Sequence, residues 1–86
     1  MRFKLSQHAK EELVRRNIPL RLLDAVLQNP QQIVAESGNR KCYQSKLDFG
    51  GGQVYLLRAV VAEDADPPGV VTVYKTTRIE KYWRSQ

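Results

Sequence analysis

The chain has 86 residues, enough for one small domain with one modest core. Hydrophobic residues at 42% and charged residues at 27% exclude disorder as the default reading. Fourteen Lys and Arg against nine Asp and Glu give a net charge of +5, read either as a surface for a polyanionic partner, RNA or an acidic protein, or as a solvated basic surface with no dedicated partner.

The opening "MRFKLSQHAKEEL" has no apolar leader core, and the apolar runs are far too short to cross a bilayer. Cys42 is the single cysteine, so an internal disulfide is excluded; with His8 as the single histidine, zinc ligands are too few. The expectation is a cytoplasmic, single-domain protein over residues 1–86, with no metal and no cofactor.

Ser6 is a helix N-cap, and helical spacing runs from there to about Arg16. Ala9 and Leu13 share one stripe with the stem of Arg16, and His8, Glu12 and Arg15 form the neighbouring one. Asn17 suits the left-handed residue that ends such a helix. Pro19 opens a second helix to about Gln28, with Leu20, Leu22, Leu23, Val26 and Leu27 on an apolar arc, and Asn29-Pro30 stops it.

From Gln32 the period changes to two. Ile33 to Glu36 reads as a strand, turned by Ser37-Gly38-Asn39 into a strand from Lys41 to Phe49. Gly50-Gly51-Gly52 reverses the chain into Val54 to Ala62, whose mostly apolar run suggests a central position. Pro67-Pro68-Gly69 bends it into Val70 to Lys75. Thr77 and Glu80 match a capping box, and Ile79, Tyr82 and Trp83 are spaced as an apolar helical face. The expected fold is α+β: two N-terminal helices packed on a four-stranded antiparallel sheet, then a short C-terminal helix.

Arg58 is the only charge inside "VYLLRAVVA", costly there unless paired or holding an anion. If Ala62 faces Val70, Arg58 faces Tyr74 and Leu56 faces Thr76, all on one side of the sheet, with Val71 and Val73 under the helices. The competing reading is an edge-exposed Arg58, or one paired with Glu36 or Asp48. His8 is the one side chain whose ordinary pKa lies near neutrality; it is read either as an acid–base group or as a capping or packing residue. Lys75, Thr76, Thr77 and Arg78 lead into the final helix, whose N-terminus offers free N–H groups to a phosphate. The acidic segment Glu63, Asp64 and Asp66 reads as a solvated loop rather than a metal site.

"LSQHAKEELVRRNI", "VLQNPQQIVAESGNRKCYQ", "YLLRAVVAED" and "VVTVYKTTRIEKYW" together resemble the small prokaryotic domain-of-unknown-function family numbered 4258, over residues 4–83. The resemblance implies kinship with the RelE/ParE-like and barnase–EndoU–colicin–RelE nuclease-like group, whose characterised members are often ribonuclease toxins, and hence a RelE-like fold with a site between an early helix and the later strands. His8 and Arg16 fall on its first helix, and Tyr74, Lys75 and Thr76 on its last strand. Two departures stand out: Glu12 where family members often carry Arg, and Asn17 where they often carry Gly. Glu12 either weakens phosphate binding beside His8 or orients the imidazole.

The leading expectation is a metal-independent RNA endonuclease of toxin type. His8, Tyr74 and Lys75 are its catalytic candidates, with Arg16, Arg58, Thr76 and Arg78 holding phosphate and an acidic antitoxin-like protein as partner. The alternative is a non-catalytic RNA- or protein-binding module on the same fold.

Overall fold

A computed structural model describes residues 2–85 and arranges them in chain order as β1 (Lys4–Leu5), α1 (Gln7–Arg15), α2 (Leu20–Gln28), β2 (Gln32–Glu36), β3 (Arg40–Asp48), β4 (Val54–Ala62), β5 (Gly69–Thr76) and α3 (Ile79–Tyr82). The α+β class is as read from the sequence. The sheet differs: it has five strands in the order β1-β5-β4-β3-β2, and β1 runs parallel to β5 through Lys4↔Gly69 and Leu5↔Val70. The expected four-stranded antiparallel sheet is therefore a five-stranded mixed one. A two-residue strand is too short to show a period, which is why β1 left no trace in the pattern.

The helices join the two edges of the sheet. β1 lies at one edge and β2 at the other, so α1 and α2 cross a single face between them; α1 packs on β5, and α2 on β4 and β3. Ser6 fastens the start of the crossing. Its hydroxyl accepts from the Ala9 N–H at 2.9 Å, as an N-cap should, and donates to the Val71 carbonyl at 2.9 Å. Asn17 takes the left-handed conformation expected of it, with φ 53°.

Beneath the helices lies the apolar core: Ala9, Leu13, Ile18, Leu22, Leu23, Val26 and Leu27 against Leu57, Ala59, Val61, Val70 and Val73. Leu23 and Val26 are fully enclosed, and each side chain contributes about 1.5–3 kcal/mol relative to an exposed one. Leu20, placed on the apolar arc by its spacing, is 55% exposed.

β4 is central, flanked by β3 and β5. Its register gives Arg58↔Tyr74 and Leu56↔Thr76, as alternation predicted, but Ala62 faces Gly69 rather than Val70. An irregularity between Val60 and Val61 leaves Val71 unpaired, so Val70 and Val73 enter the core where Val71 and Val73 were expected. The opposite face of the sheet carries Leu56, Arg58, Gln44, Cys42 and Tyr74, and α3 covers part of it: the Tyr82 carbonyl accepts from Gln44 at 3.2 Å. The expected capping box does not form. Thr76 Oγ1, not Thr77, accepts from the Arg78 N–H, and Arg78 caps α3 without a side-chain bond.

Candidate functional site

Arg58 is 3% exposed and every part of its guanidinium is engaged. Nε donates to Gln44 Oε1 at 2.8 Å, Nη1 to the Tyr74 hydroxyl, and Nη2 to Glu36 Oε2 at 3.2 Å. Tyr82 of α3 lies over it, 4.3 Å from ring centroid to guanidinium carbon. Gln44 is equally satisfied, its amide donating to Gln32 Oε1 at 2.8 Å and to the Tyr82 carbonyl. A buried arginine bonded at all three nitrogens in this way holds strands and helix together, and at 3% exposure it offers almost no surface to a phosphate. Of the two readings open at the sequence, pairing with Glu36 is the one found. Burial pushes the Tyr74 hydroxyl above its ordinary pKa, although Arg58 pulls it down.

Glu12 engages the arginines beside it and not His8. Its carboxylate, 6% exposed, accepts two hydrogen bonds from Arg15 and one from Arg16, each at 2.7 Å. Those bonds hold its pKa down at about 2. Arg16, expected to bind phosphate, is thus tied at Nε to a carboxylate one helical turn away.

His8 is exposed in the first turn of α1, with Nε2 3.0 Å from Thr72 Oγ1. β1 pairs only with Gly69 and Val70, so beyond them β5 is an edge that α1 can reach across. By alternation Thr72 shares its side of β5 with Tyr74. Lys75 does not: it lies opposite Leu57, on the helix side, with Nζ 4.8 Å from the Phe49 ring and 4.9 Å from Tyr55. His8, Tyr74 and Lys75 are thus split across the two sides of the sheet. Thr76 closes the turn into α3, and Arg78 is exposed at its start. With four residues, α3 is too short to build the expected phosphate cradle.

A different cluster surrounds the end of the sheet where β3 meets β4. Phe49 and Tyr55 meet edge to face at 5.1 Å with Lys75 over both. On the other side Lys46 Nζ stands 4.0 Å over the Trp83 ring, and Lys81 lies 5.3 Å from Tyr82. Arg78 and Arg84 are exposed in the same C-terminal segment, whose Arg84 carbonyl accepts from Gln32. The acids here are Asp48, which accepts from the Gly50 N–H, and Glu80. The acidic loop of Glu63, Asp64 and Asp66 follows the far end of β4, near Arg40 and Lys41 at the start of β3. Sequence reasoning missed Phe49, Tyr55, Lys46 and Trp83 as a group. The usable signal was the glycine turn, which brings Phe49 back beside Tyr55.

Among the described residues no cluster of three or more His, Cys, Asp and Glu is placed to hold a metal, and no helix is long and apolar enough to cross a membrane. Cys42 is fully enclosed, and burial pushes its thiol up to about 11, which keeps it an unreactive thiol at neutral pH.

The family model described as "Domain of unknown function (DUF4258)" matches residues 5–75, most of the chain. No curated protein and no solved structure matches.

Proposed function

On the premise that the chain belongs to the DUF4258 family, we propose that it is a non-catalytic RNA-binding module, working in the cytoplasm through the basic, aromatic end of its sheet. One observation carries this reading: Lys75 over Phe49 and Tyr55 on one side, with Lys46 over Trp83 on the other. Single-stranded RNA is bound by aromatic rings that stack on bases, alternating with cations that follow the phosphates, and neither part requires a reacting group. Arg58 supports the surface from beneath by fixing Tyr82 and Tyr74. Anisotropy titration of labelled single-stranded RNA, repeated over a range of salt, tests it: binding must weaken steeply as salt rises. Binding that ignores salt overturns it.

A second reading, a metal-independent ribonuclease of toxin type, is favoured by a separate observation, the exposed His8 ring against Thr72 on the Tyr74 side of β5. The kinship with the RelE/ParE-like and barnase–EndoU–colicin–RelE group that the family resemblance implies would support it, and it calls for an acidic neutralising partner. Against it stand the burial of Arg58 and the placement of Lys75 on the helix side. Turnover of RNA in EDTA separates the two.

A further inference from the structure

The two edges of the sheet are protected unequally. At the β5 edge, β1 takes up Gly69 and Val70, carries the exposed Lys4 and leads into α1, which packs across β5. At the other edge β2 pairs with β3 alone, and among the described residues no backbone hydrogen bond reaches its outer side. In an antiparallel pair every second residue turns both its N–H and its C=O away from the partner strand, so β2 presents a row of unpaired donors and acceptors. Its sequence lacks the devices that usually blunt such an edge. "QIVAE" holds no Pro and no Lys, its pairing with β3 has no bulge, its one charge sits at the end, and Ile33 is 51% exposed. An open recess of about 550 Å³ runs along it, lined by residues 31–35 and by Arg84.

β2 is self-complementary when two copies run antiparallel about Val34. Val34 then faces its counterpart, Ile33 faces the partner's Ala35, and Glu36 faces the partner's Gln32. Ile33 and Ala35 lie on the helix side of the sheet, level with Tyr43 and Ala59. There a large side chain is set against a small one, and the two isoleucines become diagonal neighbours that cover each other. On the α3 side, Glu36 comes to the strand end where Arg84 bonds the Gln32 amide through its backbone. Among the described residues Glu36 gives one carboxylate oxygen to Arg58 and keeps the other. The hydrogen bonds of the edge would serve any strand, whereas the match of large to small and of acid to base is specific to the chain's own β2.

We propose that the chain forms a two-fold dimer in which β2 of each copy pairs antiparallel with β2 of the other about Val34, joining the two five-stranded sheets into one. Five residues a side make a small contact, so the dimer is weak and concentration dependent. It stands independently of RNA binding and is measured without RNA.

Sedimentation of the full chain should show a monomer passing to a dimer as its concentration rises. Over the same range, backbone amides of alternate residues within β2 should gain protection from hydrogen exchange. Ile33→Lys and, separately, Ala35→Glu should each weaken the dimer at least about tenfold, because each dimer holds the substitution twice and sets like charges on diagonal positions. Both side chains are exposed, so circular dichroism of either variant should match that of the wild type. An equimolar mixture of the two variants should dimerise more tightly than either alone, since antiparallel pairing about Val34 puts position 33 of one chain opposite position 35 of the other. A chain that remains monomeric at millimolar concentration, a dimer that both variants leave intact, or a mixture no tighter than its components overturns the inference. In the first case the β2 edge is left to a strand of another protein.

Discussion

Arg58 and Tyr74 face each other across β4 and β5, and the guanidinium donates to the phenol while Tyr82 closes over both, 4.3 Å from Arg58 and 6.2 Å from the Tyr74 ring. The relationship ties the two central strands to α3, so the residue that first looks like an anion-binding group instead positions aromatic side chains.

Arg58→Ala should therefore cost stability rather than a ligand contact. Removing the guanidinium leaves the fully buried Gln44 without its donor and Glu36, which is partly exposed, without its cation. Breaking a buried pair in this way costs about 3–5 kcal/mol, and the exposure of Glu36 lowers the expectation to about 2–4 kcal/mol. Urea denaturation measures it. Arg58→Lys should recover little, because an ammonium cannot address Gln44, Tyr74 and Glu36 at once. A loss below about 0.5 kcal/mol, the range of an ordinary surface substitution, would show that the network is not structural.

Acid should loosen the α1 end through Glu12. Its pKa falls from 4.5 to about 2 on folding because Arg15 and Arg16 hydrogen-bond its charged form. A depressed folded value means that the unfolded chain binds the proton first, so the contribution to stability is complete above about 4.5 and is lost as pH falls toward 2. The stability of Glu12→Gln should accordingly vary less with pH across that window than that of the wild type. Carboxyl carbon shifts in an NMR titration give a direct check, and a Glu12 midpoint at its ordinary value would remove the effect.

Much of this arrangement was legible in the sequence, and what was not has identifiable causes. The Arg58–Tyr74 pairing was reached by alternation from an assumed Ala62–Val70 pair, and it is found although Ala62 faces Gly69. The same reasoning failed closer to the turn of that same hairpin, because Val70, Val71 and Val73 are all valines and nothing in their chemistry says which one the bulge displaces. Glu12 was read against His8, four residues before it, although the two arginines that follow at i+3 and i+4 are equally close on a helix and carry the opposite charge. Lys75 was grouped with Tyr74 by chain proximity, although strand alternation already placed them on opposite sides. Alternation puts Thr72 on the Tyr74 side, but nothing in the sequence tied it to His8, since that contact depends on where α1 crosses the β5 edge.

His8 offers the sharpest contrast between the two functional readings. Its ring is exposed and its one side-chain partner is Thr72, so His8→Ala should change stability by no more than about 1 kcal/mol, the net worth of one hydrogen bond. As a binding module the wild-type chain should leave RNA intact in EDTA, and His8→Ala should do the same with unaltered affinity. Cleavage by the wild type that disappears in both His8→Ala and Thr72→Val would restore the ribonuclease reading.

The α3 end of the sheet should reveal itself through salt. Each lysine that neutralises a phosphate on a single strand contributes about 0.7 to the slope of log affinity against log salt. Lys46→Ala and Lys75→Ala should each flatten the slope by that amount, and the double variant by their sum, since the two lysines stand on opposite sides of the sheet and share no aromatic partner. Trp83→Ala should behave differently. Losing a stacking platform costs about 1–3 kcal/mol per base, a reduction in affinity of roughly tenfold or more at every salt concentration, with the slope almost unchanged. Lys10→Ala, in the groove between α1 and α2, should leave both quantities as they are. If it flattens the slope as much as Lys75→Ala does, the RNA follows α1 instead, and the cations beside Phe49, Tyr55 and Trp83 serve only to cover those rings.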